Sequence, residues 1–123
     1  MLMKNIEIYN VATKLANAFG DDGLYLPMKL NFYLQKNKKT LIELSKEVEE
    51  ARIAIAAKYG ALNEEGTSYN IPDENIEEAS KELNDLFELE QEVKIYMIQM
   101  NQIPDHVELS TTQMESMLFM IED

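Results

Sequence analysis

The chain has 123 residues, a formal charge of −12, one histidine, no cysteine and no tryptophan. That length suffices for one domain that buries about two-thirds of the surface its unfolded chain exposes, and the lack of cysteine excludes disulfides and thiolate metal sites. No apolar run approaches the ~18 residues of a membrane span, and the acidity opposes non-specific attachment to nucleic acid or anionic membrane while favouring basic partners.

Met1-Leu2-Met3-Lys4 precedes an amphipathic segment instead of a signal-peptide core, so an intracellular protein is expected. From Ile8, the apolar residues Val11, Ala12, Leu15, Ala16 and Phe19 recur at helical spacing, with Asn5 as a cap and Gly20 as a stop. Gly20-Asp21-Asp22-Gly23 is a turn by composition. Leu24-Tyr25-Leu26 then leads into Pro27, which suits a first helical position because it has no amide hydrogen to satisfy.

The second helix is expected from Pro27 to about Tyr59, roughly 48 Å at ~1.5 Å per residue. Leu34, Leu41, Leu44, Val48, Ala51 and Ile55 alternate spacings of three and four, as in a seam packing against another helix at a shallow angle. Asn37 interrupts the seam and is read as lying at its edge or near a kink, in preference to a buried register-setting role. Gly60 ends the helix. Asn63-Glu64-Glu65-Gly66, flanked by Leu62 and Tyr69, marks a projecting turn and a small hairpin before Ile71-Pro72.

A partner helix is expected between Asp73 and about Glu90, where Ile76, Ala79, Leu83, Leu86 and Phe87 make the apolar stripe. Val93, Ile95 and Met97 then alternate with Lys94, Tyr96 and Ile98, which predicts a strand of about seven residues ending near Met100. Its partner is Met1 to Met3, the hairpin, or the same strand of another copy. Asn101 to Leu109 is a loop around Pro104. Ser110-Thr111-Thr112-Gln113 is a capping box opening a final helix with Met114, Met117, Leu118 and Ile121 on its apolar face. The fold class is therefore mainly α (α+β) in a single domain, 1–123: a long antiparallel helical hairpin with a short N-terminal helix, a C-terminal helix and a small β element.

Charge is distributed unevenly over these elements. Residues 60–92 hold eleven carboxylates and Lys81, a net −10, whereas residues 27–59 carry a net +3. Lys46 or Arg52 is expected beside carboxylates of the partner helix, but such pairing cannot absorb ten negative charges. Glu74, Glu78, Asp85 and Glu88 fall on the outer face of that helix, with Glu77 and Glu82 on its flanks. A rod of carboxylates competes for a surface that holds phosphates, since both present rows of negative charge to arginine and lysine. The competing explanation is a solvated face built from a good helix former.

Other chemistry finds less support. Lys36, Lys38 and Lys39 form a small basic cluster, but the field of the whole chain opposes a nucleic-acid role and the exposed-aromatic pattern of single-strand binders is missing. No direct nucleic-acid contact is expected. His106 sits in a loop beside Asp105, more in keeping with an exposed residue than with a general base. Gly20 to Gly23 lacks the length and the lysine of a phosphate loop. Asp73, Asn75 and Glu77 mimic the start of a calcium loop, but Glu78 stands where glycine is needed. Met97, Met100, Met114, Met117 and Met120 read as core or adaptable contact surface. No cofactor, metal or enzymatic role is expected.

Leu26-Pro27-Met28-Lys29-Leu30-Asn31-Phe32, Gln35-Lys36-Asn37, Lys58-Tyr59-Gly60 and Leu62-Asn63-Glu64-Glu65-Gly66 resemble an uncharacterised family of small proteins carried by tailed phages and prophages of Gram-positive bacteria. Ile71-Pro72, Asn75, Glu82-Leu83-Asn84-Asp85-Leu86, Gln113-Met114-Glu115 and Phe119-Met120-Ile121 extend the resemblance over nearly the whole chain. It implies a phage origin, a non-enzymatic accessory role and a place in the bacterial host cytoplasm, and it assigns no site residues. Combined with the acidity, the expectation is an anti-CRISPR-like inhibitor that binds a basic host protein or ribonucleoprotein complex through Glu74, Glu77, Glu78, Glu82, Asp85 and Glu88. The alternative is a virion or tail assembly protein, joined to other copies or phage proteins through the helix seam or an edge strand.

Overall fold

A computed structural model describes residues 1–19, 26–105 and 107–122. The expected turn at Gly20-Asp21-Asp22-Gly23, the Leu24-Tyr25 lead-in and His106 lie outside the described residues. Strand β1 (Leu2–Lys4) leads directly into α1 (Asn5–Phe19), and the 32-residue α2 (Met28–Tyr59) follows. Next come the two-residue strands β2 (Ala61–Leu62) and β3 (Tyr69–Asn70), then α3 (Asp73–Glu88), β4 (Glu90–Glu92) and β5 (Ile98–Gln99). A 3₁₀ turn at Met100–Gln102, helix α4 (Thr111–Met117), a second 3₁₀ turn at Leu118–Met120 and β6 (Ile121–Glu122) complete the order.

The apolar periodicity explains the core. Ile8, Ala12, Leu15 and Phe19 of α1 close on Leu30, Leu34 and Leu41 of α2, with Met3, Val93, Ile98, Met117 and Met120 packed into the same cluster. Each fully buried leucine or isoleucine removed from water contributes about 1.5–3 kcal/mol. Val48, Ala56 and Ala79 are buried outside this cluster, in the α2–α3 part of the molecule. The seam of α2 is thus shared between α1 and α3, where the spacing alone suggests one partner. Ile76, expected on the inner stripe of α3, remains 46% exposed.

Several local expectations are met residue by residue. In the capping box, Ser110 Oγ accepts from Gln113 N–H at 3.1 Å and Gln113 Oε1 accepts from Ser110 N–H at 2.9 Å. The β2–β3 hairpin pairs Ala61 with Asn70 and Leu62 with Tyr69, and Gly66 supplies the positive φ of 69° in its turn. Pro27 occupies the capping position just before α2, one residue earlier than expected.

Of the strand predicted over Val93 to Met100 only Ile98–Gln99 (β5) forms; Val93–Met97 is not strand, and the other short strand here, β4, precedes it at Glu90–Glu92. β4 runs antiparallel to β1, with Met3 opposite Gln91, while β5 runs parallel to β6, with Ile98 opposite Ile121. Between them the chain needs no strand neighbour at Tyr96, because a side chain takes that place. Asn37 Oδ1 accepts from Tyr96 N–H at 2.8 Å and Asn37 Nδ2 donates to Tyr96 C=O at 2.9 Å. Asn37 is fully buried, so its assignment to the seam edge is corrected. A buried amide is retained there because it satisfies two backbone groups at once.

Asn5, expected as the cap of α1, is instead its first residue, with its side chain bonded outside the helix. It is buried, donates from Nδ2 to Leu86 C=O at 2.8 Å and accepts from Gln91 Nε2 at 2.6 Å, fastening the start of α1 to the end of α3 and to β4. Asn75 ties the other end of α3 to α2 by donating to Tyr59 C=O at 3.0 Å. The C-terminal segment departs from its expected helical face, since the switch to a 3₁₀ turn leaves Leu118 exposed and brings Met120 into the core.

Candidate functional site

Helix α3 holds the predicted acidic row because its stripe of Ala79, Leu83, Leu86 and Phe87 faces inward. Residues four, seven or eleven positions apart on a 3.6-residue period, such as Glu74, Glu78 and Asp85, therefore share the outer face. Glu74, Glu77, Glu78, Asp85 and Glu88 are exposed, and Glu82 is intermediate on the flank. Lys81 also lies on the outer face, between Glu78 and Asp85, so the row is interrupted by one cation.

The six predicted residues divide by their ion pairs. Lys58 Nζ reaches Glu82 Oε1 at 2.7 Å, and Lys4 Nζ reaches Glu88 Oε2 at 2.8 Å. The hydrogen bond with Glu82 raises the pKa of Lys58, and the same bond lowers that of Glu82. Glu88 raises the pKa of Lys4 through its hydrogen bond and its charge. Glu74, Glu77, Glu78 and Asp85 have no ion pair among the described residues. The cross-helix pairing expected of Lys46 or Arg52 belongs to Lys58 instead. Arg52 pairs within its own helix with Glu49, whose pKa is lowered by that hydrogen bond.

The row presents its charge mainly to solvent. Its carboxylates stand on solvent-facing helical turns, and among the described residues no group of three or more histidine or acidic side chains is placed to hold a metal ion. Asp73, Asn75 and Glu77 belong to the first turns of α3, and the Asn75 amide is committed to Tyr59 C=O. No helix among the described residues is long and apolar enough to cross a membrane.

A second surface was missed in the sequence. Phe32 is 52% exposed on α2, and its ring lies 6.4 Å from that of Tyr33, which in turn meets Tyr96 at 5.2 Å. Lys36 Nζ stands 5.4 Å from the Phe32 ring, Lys29 Nζ 5.6 Å from Tyr33, and Lys94 Nζ 5.4 Å from Tyr96. An aromatic cluster of exposed Phe32 and half-buried Tyr33 and Tyr96 is thus assembled from two distant stretches of chain. Its only local signal was the spacing of Lys29, Phe32 and Lys36 on one helical stripe.

A groove also runs between the C-terminal half of α2, the hairpin and α3. Ile53, Ala56, Leu62, Tyr69, Ile71 and Leu83 line it, with Glu49 and Arg52 also contributing. Comparisons with protein-family models, with curated proteins and with solved structures gave no match to this chain.

Proposed function

We propose that this protein is a non-enzymatic binding protein that occupies a basic surface of a nucleic-acid-handling protein through the outer face of α3. The observation that carries this reading is the set of exposed carboxylates Glu74, Glu77, Glu78 and Asp85, which have no ion pair among the described residues. Fixed on a helix, they offer arginine and lysine the kind of ligand that phosphates offer. Glu82 and Glu88 play a smaller part, because Lys58 and Lys4 already neutralise them.

The resemblance to small phage proteins supports a host defence complex such as a CRISPR effector as the target class and the bacterial cytoplasm as the place of action. The assembly alternative has less to rest on. The segment that called for an external strand partner is engaged by β1, β6 and Asn37, and the α2 seam is engaged by α1 and α3.

The test is affinity capture from a Gram-positive host lysate with the wild-type chain and with E74K/E78K/D85K. Basic nucleic-acid-binding proteins should be retained by the wild type, released by moderate salt and by heparin, and lost with the triple reversal. Unchanged capture by the reversed protein, or recovery of phage structural proteins only, overturns the reading.

A further inference from the structure

The first half of α2 is the electrostatic opposite of α3. Residues 28–42 contain Lys29, Lys36, Lys38 and Lys39 and no carboxylate. Lys29, Phe32, Lys36 and Lys39 follow one another at spacings of three, four and three, so they form one stripe, and all four are exposed. Beside this stripe, buried Asn37 holds the Tyr96 backbone against α2 by donating to its C=O and accepting from its N–H. That contact sets the Tyr96 ring on Tyr33 and delivers Lys94 to the same face.

We propose that this face binds single-stranded nucleic acid, with bases stacking on Phe32 and on the Tyr33–Tyr96 pair and phosphates taken by Lys29, Lys36 and Lys94. The lysines alone would suit any anion. The rings favour nucleic acid, since every nucleobase has a face to stack on a half-exposed phenylalanine while its phosphate reaches an adjacent lysine, whereas a carboxylate engages only the ammonium groups. In the free protein the ammonium groups lie over the aromatic faces at cation–π distances. An incoming base replaces them on the rings and its phosphates receive them.

The net charge of −12 does not defeat this placement. Lys36 and Lys58 are 22 residues apart on one helix, about 33 Å along its axis. The Glu74–Glu78 end of α3 lies at the far end of α2, where Asn75 meets Tyr59. That separation is about four Debye lengths at physiological salt, ~8 Å each. The basic face therefore acts largely outside the field of the Glu74–Glu78 end of α3.

Fluorescence anisotropy with the full chain and fluorescein-labelled oligo-dT and oligo-U tests the proposal, with duplex DNA as the comparison ligand. Both single strands should bind, more tightly than the duplex. F32L, which keeps apolar bulk and removes the ring, should weaken binding about five- to a hundredfold, while F32W retains it. K29E/K36E should weaken binding and flatten the dependence of log K on log salt by about 1.4. E74K/E78K should not weaken it. Circular dichroism of each variant confirms folding, and the solvent-facing position of Phe32 leaves the core untouched. No binding at low salt, or F32L binding as well as the wild type, overturns the proposal. Concentration-dependent self-association that K29E/K36E abolishes, without oligonucleotide binding, also overturns it and assigns the face to an acidic surface of a second copy.

Discussion

Asn37 Oδ1 accepts from Tyr96 N–H at 2.8 Å while Asn37 Nδ2 donates to Tyr96 C=O at 2.9 Å, an amide-to-amide pair bridging 59 positions of sequence. In effect one side chain of α2 serves as the strand partner of the Val93–Met97 segment. Replacing it with leucine leaves a buried N–H and C=O without partners, at about 1–3 kcal/mol each. N37L should therefore lose roughly 2–6 kcal/mol in urea denaturation, and the Tyr96 amide should exchange its hydrogen much faster. Wild-type exchange at Tyr96 in a folded N37L protein would contradict the clamp.

The core makes a second contrast. Leu41 has no solvent exposure, whereas Met28 is 86% exposed. L41A should cost about 2–5 kcal/mol through lost burial and the cavity left behind. M28A should stay within about 0.5 kcal/mol of the wild type. Equal urea midpoints for the two variants would mean that Leu41 is not in the core.

Two glycines near the hairpin should fail for different reasons when changed to alanine. At Gly60 a Cβ would come 2.5 Å from Asn70 O, a backbone atom that cannot turn aside. G60A should therefore cost about 1–3 kcal/mol by overpacking and loosen the β2–β3 pairing. Gly66 has open space but a φ of 69°. G66A should cost about 1–2 kcal/mol from backbone conformation alone, and G66N should recover most of it, because asparagine tolerates the left-handed region. Thermal unfolding of the three variants separates crowding from conformation.

The Lys58–Glu82 pair predicts opposite behaviour at the two ends of the pH scale. The hydrogen bond from Lys58 lowers the folded-state pKa of Glu82, so its linkage to stability is present above the unfolded pKa and lost as pH falls through the folded one. Lys58 is raised by the same bond, so its linkage is present below its unfolded pKa and lost as pH rises through the folded one. A side-chain NMR titration should find Glu82 ionising below an ordinary glutamate, and K58M should return it to the ordinary range. A Glu82 titration unchanged by K58M would show that the pair does not form in solution.

The parts legible in the sequence were those with local causes. The three-four spacing in α2 and α3, the Ser110–Gln113 box and the Asn63–Gly66 turn depend on residues within a few positions of each other, so periodicity and capping chemistry suffice. The acidic outer face of α3 was legible for the same reason, since a helical period sorts Glu74, Glu78 and Asp85 away from Ala79 and Leu83. The pairing of those carboxylates was less so. Lys58 and not Arg52 crosses to Glu82, because reach depends on how two helices sit side by side.

The sequence by itself determined the helices, their order and the unequal charge that they carry, because each follows from the side chains of one contiguous segment. Tertiary structure alone decided that Asn37 is buried, that Val93–Met97 of the predicted strand forms no strand, and that Tyr96 and Lys94 join Tyr33, Phe32, Lys29 and Lys36 on one face. Backbone groups must find partners wherever the chain folds, and an asparagine amide presents the same donor and acceptor as a neighbouring strand. Which partner is used depends on a contact between residues 59 positions apart, for which local periodicity carries no signal.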